Sequence, residues 1–416
     1  MRKILVIQLA RFGDLLQSKR LLLSVAEQGR AEVHLCLDRS LVPLARLIYP
    51  DIVLHGVSAH AGQGQSPGEF LGANRKVFRE LRQCGFETIY NVNFSGLNFA
   101  VAALFEPSRV RGYRWDRGQV LKDLWMDMAF RWTARRKPNP INLADFWAFL
   151  AEHPVAPETV NPAAEPKGGG VGVVMAGRDA RRSLPPEVLA RCVGAVADAR
   201  GAKRIVFLGG PEERPLAAAV KKHTSRRVLA RVENLVGKTG WADLLEVVSG
   251  LDVLLTPDTG TMHLAAHAGT PVLGFFLSSA WAFETGPYGL GHTVWQSTLD
   301  CAPCVEARPC SNELRCLAPF ASNEFLRCLA KGGGADAPAH LAGFGTAFDE
   351  LGLCFEAFSG RDPYARERRA LRLLLGEYLG LASMRKEAGA FSARENELAG
   401  ALYVETDWVL EQPRTF

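Results

Sequence analysis

Residues 254–276, LLTPDTGTMHLAAHAGTPVLGFF, hold two apolar runs of strand type with a helix-length segment between them. The first run ends at Thr256, the turn PDTG follows, and a helix opens at about Thr261. After Gly269, Thr270 and Pro271 break that helix, the chain enters VLGFF. Strand, helix and strand in this order form the crossover unit of a parallel sheet. The N–H groups at the helix start have no intrahelical acceptor. With the Thr259 and Thr261 hydroxyls and the positive end of the helix dipole they suit a diphosphate. His263, in the first turn, can donate to the same oxygens. A plainer reading stands beside this one: Asp258 caps the helix and His263 is a satisfied core residue.

Outward from this unit the alternation continues. Upstream lie VGVVMA (171–176), PPEVLARCVGAVADA (185–199), KRIVFLGG (203–210), PEERPLAAAVKK (211–222) and DVLLTPD (252–258), strand and helix patterns in turn. A second series occupies the first 113 residues: KILVIQL, DLLQSKRLLLSVAEQ, EVHLCL, NRKVFRELRQC, ETIYNV and RVRGY. Residues 116–153, rich in Trp and Phe, read as mostly helical. Between the series, PVAPETVNPAAEPKGGG (154–170) is dense in Pro, Gly and Ala, the composition of a linker. The expected organisation is an α/β half over 1–155, a linker over 156–170, a second α/β half over 171–331 and a helical tail of no assigned role over 332–416. Two open sheets joined in this way leave a cleft between their carboxyl ends, with room for one substrate on each side.

Bulk properties narrow the function. The 416 residues exceed one ordinary core, and the formal net charge of +5 is spread over the whole length, unlike the dense basic stripe of a nucleic-acid binder. The apolar run near the N-terminus stops at Arg11, too short for a signal peptide, and LAAHAGTPVLGFFL is interrupted by His267, Gly269 and Pro271. A cytoplasmic protein with peripheral membrane contact is expected.

Three further segments can carry chemistry. MAGRDARRSLPPE (175–187) lies between a strand end and a helix start, where Arg178, Arg181 and Arg182 can clamp phosphate oxygens or simply form a solvated basic loop. FLGGPEERPLA (207–217) offers Glu212 and Glu213 to ribose hydroxyls, or to first-turn capping. LVIQLARFGDLLQS (5–18) has a single glycine, Gly13, followed by Asp14. A carboxylate already at a helix start disfavours phosphate there, and the helix dipole is expected to lower its pKa. Asp14 is read as a base, with Gly13 leaving room for an incoming hydroxyl and Arg11 beside it. An ordinary cap is the alternative.

Cys301, Cys304, Cys310 and Cys316 crowd into CAPCVEARPCSNELRC. The opening pair has the spacing of a metal knuckle and the later gaps are irregular for zinc, so a structural zinc or another thiophilic ion, reduced thiols and disulfides stay open. No catalytic role is read into them.

ILVIQLARFGDLLQS, the Arg-rich turn closing in RSLP, GGPEE and above all PDTGTMHLAAHAGTPVLGFF resemble the glycosyltransferase family 9 proteins, the heptosyltransferases of the lipopolysaccharide inner core, over about residues 1–331. The resemblance implies a GT-B fold, two Rossmann-like domains facing across a cleft. It implies metal-independent transfer of heptose, with inversion, from ADP-heptose to a glycolipid or other glycan acceptor. It places the acceptor on the N-terminal half, with Asp14 as general base. On the C-terminal half, Arg182 stands where the family has a donor-phosphate lysine and Glu212 or Glu213 where it contacts ribose or adenine. Asp258, Thr259, Gly260 and His263 fall in the diphosphate turn. The family's Lys-x-Trp-Pro is here Arg182-Ser183-Leu184-Pro185, which keeps the charge and changes the donor geometry. Competing readings are a sugar-nucleotide epimerase of the same fold and a non-catalytic sugar-nucleotide-binding protein.

Overall fold

The apolar runs pair as two sheets in a computed structural model that describes residues 2–27, 31–59, 67–132, 135–176, 180–331, 336–382 and 384. The first sheet contains β1 (Lys3–Gln8), β2 (Glu32–Asp38), β3 (Val53–Val57), β4 (Thr88–Asn91), β5 (Val110–Asp116) and β6 (Gln119–Lys122), in the order β3-β2-β1-β4-β5-β6. All its pairings are parallel except the β5–β6 hairpin. That hairpin falls where the aromatic-rich sequence reads as helical. Helices do follow it, at Leu124–Trp132 and Leu143–Ala148.

The second sheet contains β7 (Val171–Val174), β8 (Ile205–Leu208), β9 (Val232–Asn234), β10 (Val253–Pro257), β11 (Val272–Phe276), β12 (Thr293–Ser297), β13 (Leu341–Asp349) and β14 (Gly352–Ser359), in the order β14-β13-β12-β11-β10-β7-β8-β9. Strands β7 to β12 are parallel, and β13 and β14 add to them antiparallel. Their central members are buried along their whole length, which is why they read as continuous Val, Leu, Ile and Phe runs. The α/β class with two mainly parallel sheets agrees with the sequence. In each sheet the strand order reverses beside the first strand, between β1 and β4 and between β7 and β10. Ligands of open α/β sheets bind at such reversals, beyond the carboxyl ends of the strands.

The segment after residue 331 contributes the helix Ala365–Tyr378, as its pattern predicts, but first forms the β13–β14 hairpin. The helix then returns to the first half. Arg368 donates through Nε to the Asn139 carbonyl (3.2 Å) and Arg372 through Nη1 to that of Pro140 (2.5 Å), while Leu373 and Leu375 join the core of Ile4, Leu15 and Trp125. A buried node fastens the three parts: the Asp145 carboxylate accepts from Arg20 Nη1 (2.5 Å), Tyr288 Oη (2.5 Å) and the Leu353 N–H (2.8 Å). The linker is laid onto the second half from Asn161, whose Nδ2 donates to the Tyr288 carbonyl (2.8 Å), to Gly169.

Candidate active site

Between the two reversal points lies a cleft of about 810 Å³. The turn after β1 supplies Arg11, Phe12, Gly13, Asp14 and Gln17; the turns after β8 and β10 supply Gly209, Gly210, Glu212, Glu213 and Asp258 to Thr261, with Arg182 and His263 beside them. Sequence-predicted residues far apart in the chain thus face one space. Arg178 lies outside the described residues.

Two helix starts meet across this cleft, those of Phe12–Gln17 and Gly260–His267. The approach is close because both carry glycine where they touch. A Cβ on Gly13 would stand 3.1 Å from His263 Cδ2 and 3.5 Å from Gly260 Cα, and one on Gly260 would overlap the Phe12 ring. Phe12 in turn packs against Trp241, ring centroids 4.9 Å apart.

Asp14 is half-buried on the first of these helices. Its Oδ2 accepts the Arg11 N–H (3.0 Å), so the carboxylate does close the helix start. The expected lowering of its pKa is overturned: burial raises it, aided by Asp258 across the cleft, and outweighs the Arg11 N–H and the Arg11 charge that act the other way. A carboxylate lifted toward neutrality is a stronger base than a surface Asp. One turn further on, the buried Gln17 Nε2 has no hydrogen-bond partner and lies at the cleft wall.

On the opposite side the helix is capped by Thr259, whose Oγ1 accepts the Met262 N–H (3.4 Å) and lies 3.0 Å from Thr256 Oγ1. The alternative in which Asp258 is the cap is therefore set aside. Asp258 instead pairs with Arg182 Nη2 and accepts from Thr285 Oγ1 (2.9 Å); Arg182 Nη1 also stands 3.8 Å from Glu306. This fixes a guanidinium at the cleft beside the helix start. Burial pushes His263 down to about 4, so near neutral pH it is an uncharged imidazole with one N–H able to donate.

The two glutamates separate. Glu213 closes its own turn, its Oε2 accepting the Gly210 N–H (2.8 Å), and burial raises its pKa. Glu212 is exposed at the cleft edge. Arg181 turns away, donating to the carbonyls of Arg308 (2.7 Å) and Glu306 (2.5 Å). Several cleft residues escaped the sequence reading, among them Trp241, Gln17 and Arg136. Trp241 follows a Gly-rich turn, a signal that was available. Gln17 looks like any helix polar residue. Arg136 is brought in from the segment between the Leu124–Trp132 and Leu143–Ala148 helices, donating to Glu284 Oε1 (2.9 Å) and to the Ser279 and Cys304 carbonyls (2.8 and 3.0 Å).

The cysteines Cys301, Cys304, Cys310 and Cys316 are all free thiols. Burial, followed by the three neighbouring thiols, pushes Cys304 up to about 11. They are near one another without being gathered for coordination. Among the described residues, the ligand-type side chains whose donor atoms come within 4.8 Å of one another are His34, His55 and Cys84.

The family described as glycosyltransferase family 9 (heptosyltransferase) matches residues 191–314, which include Glu212, Glu213 and the whole turn after β10. The lipopolysaccharide core heptosyltransferase OpsX of Haemophilus influenzae is 35% identical over 84 residues, 20% of this chain and 23% of that protein. Lipopolysaccharide heptosyltransferase 1 of Pseudomonas aeruginosa is 30% identical over 107 residues, 25% of this chain and 30% of that protein. The chain thus spans about a quarter of the length of the curated relatives it matches. The structure described as E. coli heptosyltransferase WaaC with ADP superposes with a TM-score of 0.53 at 14% identity, over 71% of this chain and 93% of that one, and bears out the GT-B fold. No helix of the described residues is long and apolar enough to cross a membrane.

Proposed function

We propose that this chain, a glycosyltransferase family 9 domain over residues 191–314, transfers a heptose with inversion from ADP-heptose to a lipopolysaccharide-core acceptor. The observation that carries the reading is the pair of helix starts across the cleft, one holding a carboxylate and the other offering N–H groups beside an arginine. The printed names of the relatives, and the ADP of the superposed structure, support the sugar and the nucleotide.

In this mechanism the donor diphosphate sits at the Gly260–His263 start. The Gly260 and Thr261 N–H groups, the helix dipole, Arg182 and neutral His263 stabilise the charge that develops as the sugar–phosphate bond breaks. Glu212 meets the ribose. Opposite, Asp14 takes the proton of the acceptor hydroxyl as its oxygen attacks the anomeric carbon from the other face, with Arg11 and Gly13 forming the acceptor side. The N-terminal half, about residues 1–155, binds acceptor; residues 171–331 bind donor; and the rest of the tail clasps both. The reaction belongs in the cytoplasm, where the acceptor is met at the inner membrane face. The four cysteines hold a structural zinc that draws their sulfurs together, a reading supported by their free thiols and their mutual effect on Cys304.

The test is donor binding by calorimetry beside heptose transfer, for wild type and Asp14→Asn. The expected result is ADP binding in both and transfer in wild type alone. Undiminished transfer by Asp14→Asn, or absence of transfer by the wild type with every nucleotide sugar that binds, overturns the reading.

A further inference from the structure

Two imidazoles and a thiol converge on the first sheet, set back from the carboxyl strand ends that form the cleft. His34 lies on β2 and His55 on the neighbouring β3, whose ladder places Cys36 opposite His55 and His34 opposite Val53. The two rings are nearly parallel (12°), and His34 Nδ1 is 2.8 Å from His55 Nε2. Cys84 follows the helix Pro67–Gln83, and its sulfur comes within 4.8 Å of the imidazole ligand atoms. Phe86 stands edge-on to both rings and closes one side.

From this convergence we propose that His34 Nδ1, His55 Nε2 and Cys84 Sγ bind one thiophilic divalent cation of the zinc type. Two imidazoles and one thiolate form a mixed nitrogen and sulfur set that suits zinc and excludes the hard, oxygen-seeking cations. The outer contacts support it. His34 Nε2 is 2.6 Å from Glu32 Oε1, and that carboxylate is itself held 3.5 Å from Lys3 Nζ. A carboxylate on one ring nitrogen fixes the proton there and leaves the other lone pair pointing inward, the support that metal-bound histidines receive.

Without a cation the 2.8 Å contact requires one proton between the facing nitrogens, donated from His55 Nε2 to His34 Nδ1. On binding, that proton moves to His55 Nδ1 through solvent, the Cys84 S–H proton is released, and three protein–metal bonds form with no change of oxidation state. The fourth position takes a water. The facing nitrogens separate slightly to the spacing of neighbouring tetrahedral ligands. The ion would tie β2, β3 and the end of the Pro67–Gln83 helix together on an element that contributes no residue to the cleft.

The experiment uses the full chain freed of metal by chelation and then given zinc alone, with alkylation of Cys84 by iodoacetamide followed by site-resolved mass spectrometry. Zinc at saturation is expected to slow Cys84 alkylation at least tenfold in wild type and to leave it unchanged in His55→Gln. Because the readout is Cys84 itself, zinc bound at Cys301 to Cys316 does not confuse it. A parallel titration with cobalt should show one equivalent fewer in Cys84→Ser than in wild type. Equal alkylation with and without zinc, or equal protection in His55→Gln, overturns the proposal. So does the same cobalt stoichiometry in Cys84→Ser and wild type.

Discussion

At the end of β1 the chain turns into the Phe12–Gln17 helix with Asp14 in its first turn; at the end of β10 it turns into Gly260–His267 with no acidic residue there. Both are strand-to-helix turns at a reversal of strand order, and both present glycine where they meet. They differ in who satisfies the helix start. The first is closed by its own carboxylate. The second is capped at Met262 by Thr259, and its first residues, Gly260 and Thr261, line the cleft. Asp258, which sits just before the capping Thr259, is drawn off by Arg182 and Thr285. In the proposed mechanism one frame makes a base on one side and an anion seat on the other, because a negative charge placed within a helix start excludes a second one.

Removing the charge from the first turn should have the largest effect. Asp14→Asn is expected to lower kcat by roughly 10²- to 10⁴-fold, the usual contribution of a positioned general base, with ADP affinity intact. Because burial raises the Asp14 pKa and the base acts when deprotonated, wild-type kcat/KM should fall as the pH drops through a value above the ordinary carboxylate range. His263, near 4 and neutral above that, adds no limb there. A pH profile that shows the same acid limb in Asp14→Asn would assign it to another group.

The next effect comes from forcing the turns apart. Gly260→Ala puts a methyl into the Phe12 ring, and a misplacement of about an ångström should cost about 10²-fold in kcat/KM. Gly13→Ala meets only the edge of His263 at 3.1 Å and should cost less; the reverse ranking in steady-state assays would show that the turns do not approach as described. Arg182→Gln removes the fixed cation and should weaken ADP binding by about tenfold, the value of one charge-assisted contact of ~1.5 kcal/mol. Binding unchanged in calorimetry would place the diphosphate elsewhere. The smallest effect belongs to Thr259→Ala, which deletes the cap and should cost about 1 kcal/mol in thermal or denaturant unfolding.

Much of the site was legible because it lies in turns. Gly13, Asp14, Asp258, Thr259, Gly260 and His263 stand at strand ends whose boundaries the apolar runs mark. Roles within the turns were less legible. Thr259 rather than Asp258 proved to be the cap, since Arg182 competes for the carboxylate from 76 residues away. The shift on Asp14 also changed sign, since a helix dipole is a local property and burial by a second half of the molecule is not. Gln17 and Arg136 carry no local signal, and their place at the cleft depends on which distant segments pack together.

By itself the sequence determined the alternation of strand and helix, the two series of strands and the turns that line the cleft, because periodicity and turn residues act over a few positions. Tertiary structure alone decided how the two turns face, which carboxylate caps and which pairs, and where the tail goes. LAGFGTAFD and GLCFEAFS have too little strand character to announce β13 and β14; they pair because β12 offers an open edge and Asp145 holds the Leu353 N–H. The pairing of β13 with β12 and the Asp145 contact are set by groups from tens to about two hundred residues apart, and no local window of sequence contains them.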